Sequence, residues 1–336
     1  MSPSGRKFKV CICGGAGGIG QPLSMLMAMD DRVGELSVYD LTVSAVPAEG
    51  VATDLAHLNM GSRVRAFGLD PKSGDKPKDK LQECFYGADL VLIPAGVPRK
   101  PGMNRSDLLK INLGIAKDLV EACAKFCPGA IIGLIVNPVN SVVPAMCEVY
   151  RRHGLDPKKI VGITTLDVVR ANKFVHEITG VKTSDIHVPV IGGHAGPSIL
   201  PLFSQDPAGA KIPQEMIADL DKRVQDAGTE VVNAKAGKGS ATLSMAYAGA
   251  MFGKAVLAGL DGETRTECAY VQSDITELPY FASKVTFGPF GVEQVHPLGK
   301  LSEHEEARLA EAKKQLKGEI EDGLKALDAL YSGSKL

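Results

Sequence analysis

Excess charge of either sign is missing from this chain. Its 336 residues carry a formal net charge of -1. Nucleic acid and anionic membrane surfaces are bound through concentrated basic charge, so neither is expected as a main partner. Thiol pairing is missing too. The seven cysteines are scattered and odd in number, which makes a poor disulfide framework and fits a reducing compartment. No Cys-x-x-Cys occurs and no His/Cys group has zinc-ligand spacing, so no metal site is expected. Cys11 and Cys13 lie two apart in an apolar run, which places both on one face of a strand as small buried hydrophobes. No uninterrupted apolar run of about 18 residues appears, so no membrane span is expected. The N-terminus lacks the apolar core of a signal peptide. Repeats and low-complexity tracts are absent.

What is present is ordinary for a soluble enzyme of one large or two smaller domains: 44% hydrophobic and 23% charged residues. The stretch around which the rest is arranged is Val190-Ile-Gly-Gly-His-Ala-Gly-Pro197. It sets one histidine in a glycine-rich turn after the apolar run from Ile186 to Ile191. Histidine exchanges protons near neutral pH, which makes His194 a candidate general base. His57, His153, His176 and His304 sit in polar, helix-like contexts and read as structural or solvent-exposed.

At the other end, Phe8 to Cys13 reads as a buried strand. Gly14-Gly-Ala-Gly-Gly-Ile-Gly20 follows, then a helical pattern from Gln21 to Ala28. Strand, glycine turn and helix in that order form a G-x-x-G-x-x-G variant of the dinucleotide fingerprint through Gly14, Gly17 and Gly20. The helix N-terminus then faces the pyrophosphate. A second strand, Glu35 to Asp40, ends in an acid about 20 residues past the last glycine, the place of a ribose-binding carboxylate. Asp40 would repel a 2′-phosphate, so NAD is preferred over NADP.

The chain continues in alternation: a helix from Ala48 to Leu58 with Val51, Leu55 and Leu58 on one side, a strand from Val64 to Leu69, a charged loop from Pro71 to Lys80, and a strand from Ala88 to Ile93. The loop Pro94 to Arg105 carries Arg99 and Arg105. It is either a solvated basic loop or a lid whose guanidiniums grip carboxylates. A helix from Ser106 to Phe126 precedes a strand, Ala130 to Val136, that ends at Asn137-Pro-Val-Asn140. Asp167 and Arg170 share one face of the next helix. They read either as a surface ion pair or as inward groups, Asp167 orienting His194 and Arg170 holding a substrate carboxylate. Later come helices over Gln214 to Lys235, Gly239 to Ala250 and Glu303 to Leu330. Cys268 to Val271 and Ala282 to Gly291 read as strands of a smaller antiparallel layer. The fold class is α/β: a Rossmann-type doubly wound parallel sheet followed by an α+β substrate domain. The expected boundaries are 1–163, 164–331 and a tail, 332–336.

Six motifs resemble the malate dehydrogenases of the mitochondrial and organellar branch: GGAGGIGQPLS from Gly14, IPAGVPRKPGM from Ile93, NPVNS from Asn137, TTLDVVRAN from Thr164, VPVIGGHAG from Val188 and SATLSMAYAGA from Ser240. The resemblance runs from about Lys7 to Leu330. It implies reversible hydride exchange between malate and NAD, giving oxaloacetate and NADH. His194 would be the acid-base residue and Asp167 its partner. Arg170 would hold the near carboxylate, Arg99 the distal one with Arg105 assisting, and Asn137 would touch substrate and cofactor. Gly14, Gly15, Ala16, Gly17, Gly18, Ile19, Gly20, Asp40, Asn112, Ile135, Val136 and Met245 would line the NAD site. A homodimer is implied as well. Asn104, Ser106 and a long Pro71 to Lys80 loop depart from the family pattern. Two other readings stay open: a 2-hydroxy-acid dehydrogenase of different specificity, and a non-catalytic NAD-binding protein on the same fold. The chain ends in Ser334-Lys335-Leu336, the address read by the peroxisomal import receptor, so a peroxisome or glycosome is the expected location.

Overall fold

The computed structural model describes residues 5–44, 46–70, 72, 77–97 and 105–333. Its centre is strand β1 (Phe8–Cys13), paired in parallel with β2 (Val33–Leu41) and β4 (Leu90–Ile93). Strand β3 (Arg63–Leu69) lies outside β2; β5 (Ile131–Leu134) and β6 (Ile160–Ile163) follow β4. Every residue of β4, β5 and β6 is buried. Short unbroken apolar strands of this kind belong to a parallel sheet covered on both faces. The order β3-β2-β1-β4-β5-β6 is that of a doubly wound dinucleotide-binding sheet.

The sheet does not stop at β6, and here the expectation of a separate antiparallel layer is corrected. Strand β9 (Arg265–Gln272) pairs antiparallel with β6 through Gly162↔Tyr270 and Ile163↔Ala269. The same sheet then runs through β10 (Tyr280–Gly288), β7 (Val190–Gly192) and β8 (Ile199–Pro201), with β11 (Gly291–Val295) beside β10. Gly162 makes the junction possible. A Cβ there would stand 2.8 Å from the side chains of Val139 and Val143 and 3.1 Å from Tyr270.

Helices cover both faces. On one side α1 (Gly20–Ala28) and α8 (Leu243–Leu260) pack Leu23, Met27, Phe252 and Val256 against β1 and β4. On the other, α4 (Arg105–Phe126), α5 (Val139–Arg152) and α9 (Glu303–Gly333) bring Leu113, Val143, Tyr150 and Leu316 into a core that includes Cys11 and Cys13. A third core lies between α6 (Thr165–Thr179) and α7 (Gln214–Ala234), around Val175 and Val224. All seven cysteines are free and buried, and burial pushes the Cys13 thiol well above its ordinary value.

Helix α8 calls for an account, and two local expectations need correction. Helix α8 is by length and composition apolar enough to cross a membrane, with a mean hydropathy of 1.3, although its sequence contains a charged lysine. Two thirds of it is buried in the fold. Gly249 lets it approach Leu23 and Ile135, and Gly253 lets it approach Met27; its apolar length is that of a core helix. The charged loop ends earlier than Lys80, because α3 (Pro77–Phe85) opens on Pro77, and proline is preorganised for a first helical turn. Helix α2 (Ala48–Ala56) stops before Leu58, which is 44% exposed while Val51 and Leu55 are buried.

One half-buried carboxyl makes stability depend on pH. Glu267 on β9 is pushed up to about 7 by burial alone. Its folded value lies above its unfolded one, so its contribution is full below about pH 4.3, the unfolded value, and is lost as pH rises through about 7. Glu267→Gln is therefore expected to stabilise the protein at pH 8, by on the order of 3 kcal/mol, and to change little at pH 4. Urea unfolding at the two pH values checks this. An equal effect at both contradicts it.

Candidate functional site

The site lies along the C-terminal ends of the parallel strands, where open α/β sheets bind ligands. Gly14 leaves β1 at φ +91° with its Cα against Ala95; a Cβ there would stand 2.8 Å from that backbone. A Cβ on Gly20 would lie 2.0 Å from the Gly14 carbonyl, and one on Gly15 would lie 2.5 Å from Val38. These three glycines press the loop onto sheet and helix. Gly17 and Gly18 are less confined, their nearest neighbours being the Gly14 carbonyl at 3.3 Å and Thr242 at 3.1 Å. Ile19 precedes α1 with no side-chain cap; Gln21 N donates to the Gly17 carbonyl at 3.0 Å and Pro22 has no N–H, so the helix presents its positive dipole end to the loop, a setting for a diphosphate.

Asp40 stands near the end of β2, and its carboxylate is engaged by the protein itself. Its Oδ2 accepts from the Ala16 N–H at 2.9 Å, and its Oδ1 accepts from Leu41 N and Ser44 Oγ. The carboxylate braces the glycine loop from across the crevice. A loop of this shape, an uncapped helix N-terminus and an acid at the second strand end fit a dinucleotide.

The remaining cofactor candidates divide. Asn112 is 1% exposed and its side chain is committed to the protein: Oδ1 accepts from Val97 N at 2.8 Å, and Nδ2 donates to the Asn137 carbonyl at 2.7 Å. It ties the loop after β4 to the end of β5. Ile135, Val136 and Met245 are buried among core side chains. Asn137 is exposed at the strand end.

The acid-base candidates are brought together. Helix α6 leaves β6 at once and carries Asp167 in its first turn, with no exposed side-chain surface. The loop after β7 carries His194, whose Nδ1 lies 2.5 Å from Asp167 Oδ2. A carboxylate only accepts, so Nδ1 carries the proton and the Nε2 lone pair is left for another partner. Arg170, one turn on, holds Nη1 3.8 Å from Asp167 Oδ1, which accepts no hydrogen bond among the described residues. Burial lowers the Arg170 guanidinium from its ordinary value, and Asp167 and Glu230 offset this. Asp167 and Arg170 are thus inward groups, not a surface pair. Arg99 and Asn104 lie outside the described residues; Arg105 opens α4.

One residue escaped the sequence reading. Asn140 is 1% exposed, and its Oδ1 accepts from the His194 backbone N–H at 2.8 Å. An asparagine in the first turn of a buried helix was its only signal.

The chain matches two family models: the lactate/malate dehydrogenase NAD binding domain over residues 8–162 and the alpha/beta C-terminal domain of the same family over residues 164–327. It is 52% identical over 322 residues to a mitochondrial malate dehydrogenase of Chlamydomonas reinhardtii, covering 96% of this chain and 83% of that one. It is 53% identical over 319 residues to a glyoxysomal malate dehydrogenase of Citrullus lanatus, covering 94% and 86%. The apo malate dehydrogenase structure from Picrophilus torridus shares its fold, with a TM-score of 0.82 over 96% of this chain and 99% of that one at 24% identity. By these likenesses the chain belongs to the lactate/malate dehydrogenase family, in its malate dehydrogenase branch, and is an NAD-dependent oxidoreductase.

Proposed function

We propose that this protein interconverts malate and oxaloacetate, with His194 as its acid-base residue. The observation that carries the reading is the buried Asp167–His194 pair with Arg170 beside it. The glycine loop from Gly14 to Gly20, with Asp40, would hold NAD, which would supply the hydride acceptor when malate is oxidised and, as NADH, the donor in reverse. Nε2 of neutral His194 takes the malate hydroxyl proton. Asp167 fixes the ring tautomer and stabilises the imidazolium that results, as an orienting carboxylate does. Arg170 grips the carboxylate next to the reacting carbon. Arg99 grips the distal one, with Arg105 assisting, and Asn137 touches substrate and cofactor. Two clamps hold the reacting carbon in one orientation, which is itself catalytic.

The proposed units are 1–163 for the cofactor, 164–331 for the substrate and 332–336 as a targeting tail. The proposed assembly is a homodimer. Helices α1 and α8 pack together and leave Met25, Met29, Leu243 and Tyr247 exposed, which favours a partner copy. The proposed location is a peroxisome or glycosome, reached through the import receptor. Ser334-Lys335-Leu336 supports this, as does the glyoxysomal relative.

His194→Ala is expected to lower kcat by about 100-fold or more while NADH still binds, measured by fluorescence titration and NADH oxidation. Near-wild-type turnover would sink the assignment. Light scattering is expected to give twice the 35.4 kDa chain mass; a monomer contradicts the dimer. Deleting Ser334-Lys335-Leu336 from a fluorescent fusion is expected to release the protein into the cytosol of the host cell. Retained punctate import would mean that another signal is read.

A further inference from the structure

The loop that carries His194 is held by side chains from two helices distant in sequence. Asn140 on α5 accepts the His194 N–H through Oδ1, as noted, and its Nδ2 donates to Ser198 Oγ at 3.0 Å and to Glu319 Oε2 on α9 at 2.7 Å. Ser198 Oγ accepts from Ala195 N at 3.2 Å and donates to Ala195 O at 2.8 Å. Gln315 Nε2, also on α9, donates to Ala195 O and to Glu319 Oε1, both at 3.0 Å. The two backbone N–H groups of His194 and Ala195 and the Ala195 carbonyl are therefore each bonded to a side chain.

The network has one sense. Glu319 can only accept from Asn140, so the Asn140 amide must turn its nitrogen to Glu319 and its oxygen to His194. An aspartate at 140 would set a carboxylate against that of Glu319. Close packing keeps the parts in register. A Cβ on Gly193 would lie 2.7 Å from both the Asn140 amide and Leu316. One on Gly323 of α9 would lie 2.0 Å from the Ser141 carbonyl of α5. Glu319 is 8% exposed, and a buried carboxylate spent on an amide is costly unless the arrangement it fixes matters.

We propose that Asn140, oriented by Glu319 and assisted by Gln315, is a positioning residue for His194, and that α9 is thereby part of the acid-base machinery. This rests on the reading of His194 given above. Nδ1 of His194 meets Asp167 from one side while its backbone is held from the other, so releasing the backbone swings the ring. A displacement of about 1 Å costs on the order of 100-fold in rate.

The test uses the full-length protein with Asn140→Leu, close in volume, and Gln315→Leu at the rim of the network. Asn140→Leu is expected to lower kcat about 100-fold and Gln315→Leu less, with NADH affinity near wild type in both; Tm is expected to fall in Asn140→Leu, which leaves Glu319 and the His194 N–H without their partner, and to stay near wild type in Gln315→Leu. The deuterium isotope effect on kcat with 4-deuterated NADH is expected to rise in both. Should Asn140→Leu fail to fold, Gln315→Leu decides the matter. Wild-type kcat in Gln315→Leu, or a fall in kcat with no change in isotope effect, overturns the proposal. A second readout needs no turnover. Long-range 1H–15N spectra of the His194 ring are expected to show one Nδ1–H tautomer in the wild type and a mixture in the variants; identical spectra overturn it. A wild type inactive toward oxaloacetate yet with altered variant spectra would contradict the proposed reaction and leave the positioning role standing.

Discussion

A carboxylate with no exposed surface is tolerated only where charge and hydrogen bonds replace the water it has lost. Asp167 is such a group, and what replaces its water comes from two places: an imidazole from the loop after β7 and a guanidinium from its own helix. Removing either would leave a buried charge uncompensated. The fold is therefore bound to bring α6 and the β7 loop to the same point. The unbroken sheet does this. Strand β9 joins β6 on one side and β10 on the other, and β10 in turn carries β7, so the histidine loop is registered against the strand from which α6 departs.

The parallel half of the sheet does the same for the cofactor. Strands β1, β4 and β5 end side by side, which gathers the glycine loop, the Ala95–Val97 turn and Asn137 along one edge. Asp40 and Asn112 then act as braces between neighbouring strand ends, the first to Ala16 and the second to Val97 and Asn137. These side chains satisfy backbone polar groups at the crevice edge, as an open strand end requires.

Features that depend on neighbours in sequence were legible. The glycine loop could be read because Gly14, Gly15 and Gly20 stand where a Cβ has no room, and the parallel strands because burial on both faces forces unbroken apolar runs. Asp167 and Arg170 could be placed on one helix face from their spacing, although only the structure turned that face inward. Features that depend on distant partners were not legible. Nothing near Gly162 announces that β9 will pair with β6, nothing near Asn140 announces Glu319, 179 residues away, and an apolar count of α8 does not say which helix or strand will cover it. Local errors came from composition overriding mechanism, as where Pro77 was placed in a loop although proline also opens helices.

The central claim is that this crevice reads a dicarboxylate, which takes hydride from NADH and a proton from His194 on reduction. The most direct test is NADH oxidation by the purified wild-type protein with oxaloacetate and pyruvate side by side. The account predicts strong preference for oxaloacetate, because pyruvate offers no distal carboxylate for Arg99. Equal rates, or preference for pyruvate, would contradict the dicarboxylate site while keeping the fold and the acid-base pair. Binding of NADH with no turnover of either would contradict the acid-base role itself.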